Sequence, residues 1–157
     1  MIEVRVQTAD FSSGVEIERL EALGGGAVAS FTGLVRGEGD LVELLLEQYP
    51  GMTHGALERI AGEAGSRWPL AGLILIHRHG PLVPGDRIVF LGTASRHRAA
   101  ALDACAFLID WLKTGAPFWK RERFGDGTVR WVEAKGEDDA AAARWTVPAI
   151  SSPPRLS

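Results

Sequence analysis

Lys113 and Lys120 flank a break in the chain made by Gly115 and Pro117. Glycine suits the left-handed residue that closes a helix, and proline cannot continue one. Residues 110–122 therefore read as a last helical turn, a tight corner and a strand. Such a corner can aim two ammonium groups at one small volume. Lys120 lies among Phe118, Trp119 and Arg121. Apolar and cationic surroundings both favour the neutral amine that a base or nucleophile requires. Each lysine also has an ordinary structural role open to it. A cation in a last helical turn complements the dipole, and one on an edge strand discourages aggregation. A second basic cluster, Ser95-Arg96-His97-Arg98, falls where a helix is expected to begin with Ser95. The helix dipole prefers Asp or Glu there, so the cluster reads either as an anion pocket or as side chains reaching out to solvent or nearby carboxylates. Arg36, at a strand end before a glycine loop, is a further candidate anion contact, or else an ordinary loop arginine. These basic residues suit an anionic small molecule, which is a class of site and not yet a reaction.

Other chemistries find less support. His77 and His79 lack a third ligand at a convincing spacing, so no metal is expected, and His77-Arg78 reads as a strand-end pair that is structural or backs the residues of a site. No dinucleotide fingerprint, serine triad signature or metalloprotease motif is present, and no cofactor is expected. Gly24-Gly25-Gly26 reads as a helix stop. The one cysteine, Cys105, lies in an apolar helical pattern and reads as a buried structural thiol. A net charge of −3 argues against a broad nucleic-acid-binding surface, so any anion site is a local pocket. The first residues lack the layout of a signal peptide, and no apolar run approaches the ~20 residues that span a bilayer. The expected location is cytoplasmic, away from membranes.

The 157 residues suffice for one domain with a sizeable core. Ile2, Val4 and Val6 alternate with Glu3 and Arg5 as a first strand. Ser12 or Ser13 caps a helix with Val15, Ile17, Leu20 and Leu23 inward and Glu16, Glu18 and Glu21 outward. Residues 27–35 and 41–49 read as two strands of a hairpin. Thr53 then caps a helix carrying Leu57, Ile60, Ala61 and Ala64. Leu73-Ile74-Leu75-Ile76 is a buried strand, and residues 88–94 form another. The helix ending at Lys113 presents Leu102, Ala106, Ile109 and Leu112. Asp126-Gly127 joins strands over residues 118–124 and 128–132 into a hairpin. A short helix is expected over residues 137–145, with a disordered tail over residues 146–157. Recurring hairpins among interleaved helices point to an α+β fold with a mixed or mainly antiparallel sheet.

Several motifs in one order carry a resemblance. They are Phe31-Thr32-Gly33-Leu34-Val35-Arg36, Glu47-Gln48-Tyr49-Pro50-Gly51-Met52-Thr53 and His77-Arg78-His79-Gly80. Ser95-Arg96-His97-Arg98, Leu112-Lys113, Ala116-Pro117-Phe118-Trp119-Lys120-Arg121-Glu122 and Trp131-Val132-Glu133-Ala134 complete the set. On these the chain resembles the catalytic, large-subunit family of molybdopterin synthase, over residues 1–145. The resemblance implies an α/β hammerhead fold with an additional antiparallel β subdomain. It also implies a homodimer that recruits a small ubiquitin-like subunit at each end, giving a heterotetramer. The partner's C-terminal Gly-Gly thiocarboxylate would enter a pocket and pass two sulfurs to cyclic pyranopterin monophosphate. By the same resemblance Lys113 and Lys120 are catalytic, and Leu34, Val35, Arg36, His97, Arg98, Arg121 and Glu122 join them in binding substrate. Gln48 stands where the family usually has histidine, the loop after Arg36 is short, and Lys135 replaces a common arginine. A non-catalytic adaptor for a ubiquitin-like tail is the competing class, and retention of both lysines favours the enzyme. A nucleotide- or RNA-binding domain is disfavoured by the net charge and by the lack of an aromatic stacking motif.

Overall fold

Leu73, Ile74, Leu75 and Ile76 are all fully buried, which requires a sheet covered on both faces. The computed structural model describes residues 1–131 and Trp145. Its strands are β1 (Ile2–Gln7), β2 (Ala27–Leu34), β3 (Leu41–Gln48), β4 (Leu70–Arg78), β5 (Gly80–Leu82), β6 (Arg87–Ser95), β7 (Phe118–Phe124) and β8 (Val129–Trp131). The helices are α1 (Ser13–Glu21), α2 (Met52–Arg67) and α3 (Arg98–Thr114). One sheet has the order β1-β4-β6-β2 and the other β5-β3-β7-β8. β1 runs parallel to β4, and the remaining pairings are antiparallel. This is the expected α+β class, with the additional antiparallel sheet.

Alternation along the strands sorts the core. Leu73, Leu75 and Leu91 pack with Leu57, Ile60, Cys105 and Leu108 from α2 and α3. Ile74, Ile76 and Phe90 turn the other way and pack with Phe11 and with Leu20 of α1. Gly92 is where α1 meets the sheet backbone, because an added Cβ would run into Leu20 Cδ1 and come within 2.9 Å of the Phe90 ring.

Tertiary contacts override several local expectations. Ser12 caps α1 by accepting from the Val15 N–H, as expected, but Glu16 is buried while Val15 is exposed. The Glu16 carboxylate takes Arg5 on one oxygen at 2.7 Å and Arg19 on the other at 2.8 Å, and this double pairing makes its burial tolerable. The hairpin expected between β2 and β3 does not form. β2 pairs with β6, and β3 pairs with β5 and β7. Val35 redirects the chain: it is buried with Leu46 and Leu82, its N–H donates to Asp86, and its carbonyl accepts from Gly85. The hairpin of β7 with β8 forms as expected.

The helix starts also shift. α3 begins at Arg98, since Ser95 ends β6 and spends its hydroxyl on the Pro69 carbonyl at 2.8 Å. Leu102 is exposed, and Ala101, Ala104 and Leu108 form the inward stripe of α3 instead. Thr53 lies inside α2, behind an N-cap at Gly51, and its buried hydroxyl has another task described below. The helix expected over residues 137–145 lies outside the described residues, apart from Trp145, and so does the tail.

Gly92→Ala is expected to destabilise the fold by about 1–3 kcal/mol through overpacking against Leu20. Chemical denaturation should show a lower midpoint at an unchanged slope.

Candidate active site

Gly33, Val89 and His77 form a row across the first sheet, with Gly33 opposite Val89 and Val89 opposite His77. By alternation, Gly33 and His77 share the face that carries Phe31, Leu73 and Leu75. In the second sheet Leu46 stands opposite Lys120, and Leu44 lies two residues along the same face. Between these walls, closed by Ile109, Leu112 and Lys113 of α3, is a cleft of about 540 Å³ including its open mouth. Phe31, Leu34, Ile88 and Val89 make it still more apolar. Among the described lining residues the polar side chains are His77, Lys113 and Lys120.

The corner between the lysines is built differently from the sequence expectation. Gly115 is not left-handed: its φ is −108° and its ψ −14°. Glycine is required there because a Cβ would lie 2.7 Å from Nε1 of the Trp111 indole. The Gly115 N–H donates to the Trp111 carbonyl at 2.6 Å, and the Phe118 N–H to that of Ala116 at 2.9 Å. Thr53 Oγ1 donates to the Pro117 carbonyl and accepts from the Tyr49 N–H, both at 2.8 Å. The Phe118 ring stacks on His77, with centroids 4.0 Å apart and planes at 21°. The start of α2 and the end of β4 thus clamp the turn that carries both lysines.

His77 is buried at the end of β4. Its Nδ1 lies 2.8 Å from the Arg78 carbonyl oxygen, which can only accept, so Nδ1 carries the hydrogen. Burial pushes its pKa down to about 4, and the charges of Lys120, His79 and Lys113 act in the same direction against the opposing Arg78 bond. The ring is therefore neutral near pH 7, with a lone pair on Nε2. Cys105 is buried in the core, where loss of solvation raises its thiol to about 11. It is inert there, as expected.

Of the sequence-derived site residues, the structure brings Leu34, Lys113 and Lys120 together at the cleft. Val35 is buried beside it with Leu46. Arg36 is exposed and pairs with Glu38 at 3.0 Å, the ordinary loop arrangement. Arg121 leaves β7 on the face opposite Lys120, and its buried Nε has no hydrogen-bond partner among the described residues. Glu122 shares the face of Lys120, and its Oε1 accepts from Arg130 Nε and a terminal guanidinium nitrogen at 3.0 and 2.7 Å. His97 is the N-cap of α3 and Arg98 its first residue, both exposed. At 1.5 Å per residue, Arg98 stands roughly 22 Å from Lys113 along the axis, and neither His97 nor Arg98 lines the cleft. Gln48, in the usual histidine position, keeps a polar link through Nε2 to His79 Nε2 at 3.2 Å. The strand-end pair His77-Arg78, expected to be structural or to back the site, lies at the cleft through His77, and nothing in the local pattern shows that the Phe118 ring folds against it.

A helix-covered mixed sheet meeting an antiparallel sheet at a two-lysine cleft is the architecture of a small α+β enzyme subunit. Residues 6–115 match the MoaE protein family. The chain is 54% identical over 147 residues to the molybdopterin synthase catalytic subunit of Pseudomonas aeruginosa, covering 90% of this chain and 97% of that one. It is also similar to the structure of the molybdopterin biosynthesis MoaE protein from Burkholderia ambifaria, with a TM-score of 0.80 at 48% identity over 94% and 99% of the two chains. A protein–protein complex of subunits 1 and 2 of the molybdopterin-converting factor from Helicobacter pylori shares the fold, with a TM-score of 0.66 at 21% identity over 86% and 90%. The chain belongs to the MoaE family of molybdopterin synthase catalytic subunits. The resemblance drawn from its motifs is borne out. No helix among the described residues is long and apolar enough to cross a membrane.

His77 couples the site to pH. Its folded pKa of about 4 lies below the ordinary histidine value of 6.5, so the unfolded chain binds the proton first as pH falls. The stability is complete above pH 6.5, erodes between 6.5 and 4, and has lost about 3 kcal/mol below that, at ~1.4 kcal/mol per pKa unit. In His77→Phe, denaturation curves across this window should be flatter than wild type by that amount.

Proposed function

We propose that this chain is the sulfur-transferring subunit of molybdopterin synthase. Two sulfurs pass in succession from the C-terminal Gly-Gly thiocarboxylate of a small ubiquitin-like subunit to cyclic pyranopterin monophosphate, forming the dithiolene of molybdopterin. The observation that carries this reading is the convergence of Lys113 and Lys120 on one apolar cleft. Thiocarboxylate and substrate phosphate are both anions, and cations in an apolar cleft act on them more strongly than in water. Family membership and the two-subunit complex of the Helicobacter pylori relative support the same partner. One domain over residues 1–145 and a cytoplasmic location go with this reading. The direct test mixes the protein with a thiocarboxylated small subunit and the pterin substrate. Dithiolene product is expected, and its absence with a partner that supports a known synthase would sink the proposal.

Within the site, Lys113 orients or activates the thiocarboxylate, and Lys120 assists proton transfer or stabilises the developing oxyanion. Lys113→Ala and Lys120→Ala should each lower turnover by ~10²–10⁴-fold in a folded protein. Near-wild-type turnover would remove that lysine from the catalytic set.

His97 and Arg98 hold the substrate phosphate at the start of α3, where free N–H groups and the helix dipole favour an anion. Arg36, Arg121 and Glu122 make the surrounding contacts, and Leu34 and Val35 shape the pocket wall. The separation along α3 is bridged in a homodimer, where His97 and Arg98 of a second copy complete the cleft of the first. Arg98→Ala should weaken substrate binding by ~1.5–3 kcal/mol, the scale of a charged hydrogen bond. It should slightly stabilise the empty protein, since a cation leaves a helix N-terminus. Lys120→Ala and Arg98→Ala chains, each impaired at low substrate, should regain activity when mixed and allowed to exchange, because one site of each mixed dimer is intact. A mixture that stays impaired while forming mixed dimers would place both residues in a single-chain site.

A further inference from the structure

The pairing of β3 with β7 stops at Gln48 opposite Phe118, and one more step would set Tyr49 opposite Pro117. That rung cannot form in full, because proline has no N–H to give to the Tyr49 carbonyl. Thr53 takes its place. Its N–H donates to the Tyr49 carbonyl at 2.9 Å, and its Oγ1 accepts from the Tyr49 N–H and donates to the Pro117 carbonyl, both at 2.8 Å. One residue thereby meets every backbone polar group of the would-be pair. Gly51, at a φ of 80°, makes the turn that brings the first residues of α2 back onto the end of β3.

A threonine at a helix start ordinarily accepts from N–H groups of its own helix. The hydroxyl of Thr53 serves instead the strand before α2 and a corner 64 residues further on. Inserted between an N–H and a carbonyl, it holds the two strands further apart than a direct bond would, and leaves both groups satisfied. β7 parts from β3 at that point. Lys120 lies three residues after Pro117 and Lys113 four before it, so both are measured from the place where the ladder ends. Thr53 is fully buried, and solvent cannot stand in for its hydroxyl.

We propose that Thr53 is a positioning residue for sulfur transfer: its hydroxyl sets the end of the β3–β7 ladder, and with it the placement of Lys113 and Lys120 at the cleft. Thr53 itself makes and breaks no bond of the substrate. The inference rests on reading the cleft as the sulfur-transfer site.

Thr53→Val keeps the branched shape and removes the hydroxyl, whereas Thr53→Ser keeps the hydroxyl and removes a methyl group. With thiocarboxylated partner and pterin substrate, Thr53→Val should lower kcat by ~10²-fold, the cost of a catalytic group misplaced by about 1 Å, with KM unchanged. Thr53→Ser should retain most of the wild-type kcat. Rates are taken per folded molecule, well below the Tm of each variant, so that lost stability alone leaves kcat untouched. Wild-type kcat in Thr53→Val, an equal loss in Thr53→Ser, or a loss expressed only in KM would each overturn the proposal. If Thr53→Val does not fold, Thr53→Cys replaces it, since a thiol is a weak donor and acceptor, and the same outcomes decide. A second measurement needs no activity. In the unliganded protein, the backbone amides of Tyr49 and of residues 113–120 should exchange ~10-fold faster in Thr53→Val than in Thr53→Ser, the scale of one net hydrogen bond. A change confined to Tyr49 would show that the bond does not reach the lysines, and would also overturn the proposal. If the wild-type protein makes no dithiolene while exchange quickens across the corner, the functional reading fails and the hold of Thr53 on the corner stands.

Discussion

The stack of His77 on Phe118 joins two sheets that share no strand. His77 ends β4 of the first sheet, and Phe118 begins β7 of the second. Between them, Thr53 at the start of α2 holds the Pro117 carbonyl. Three elements thus converge on a turn of a few residues whose purpose is to place Lys113 on a helix end and Lys120 on a strand. A corner closed by loose backbone bonds alone would let each lysine sample many rotamers, at an entropic cost for every ordered arrangement. Burying an aromatic stack and a hydroxyl under the turn makes the geometry part of the core.

The walls of the cleft follow from the same arrangement. β2, β4 and β6 carry their helix-facing face to the last turns of α3, where Gly33, Val89 and His77 stand in one row. The second sheet meets it with Leu44 and Leu46. Apolar walls beside the half-buried Lys120 reduce the water that screens its attraction for an anion, while Lys113 stands exposed at the mouth. The same walls keep His77 neutral, so an acceptor persists beside two donors.

The α1 side of the first sheet stands apart from the cleft. The Glu16 network with Arg5, Arg19 and Glu3 closes the α1 side of the first sheet, and the cleft opens on the other face. The basic start of α3 belongs to neither region within one chain. It violates the usual charge preference of a helix N-terminus without a side-chain cap to offset it. Such a cost is reasonable where an anion is expected to bind.

The sequence by itself determined the elements whose signals are local. The alternating β1, the Ser12 cap, the doubly buried Leu73-to-Ile76 run and the Asp126-Gly127 hairpin were all legible, because period, capping and turn chemistry act over a few residues. The lysine corner was legible for the same reason, although the glycine there answers to the Trp111 indole and not to a left-handed turn. Only tertiary structure decided which sheet each strand joins. β2 and β3 look like a hairpin until the burial of Val35 against Leu46 and Leu82 sends them to different sheets. Glu16 reads as a solvent residue until Arg5, from another element, neutralises it inside. His77 reads as a strand-end histidine until Phe118, 41 positions later, closes over its ring. These contacts join residues far apart in the chain, and no periodicity encodes which distant surface will arrive.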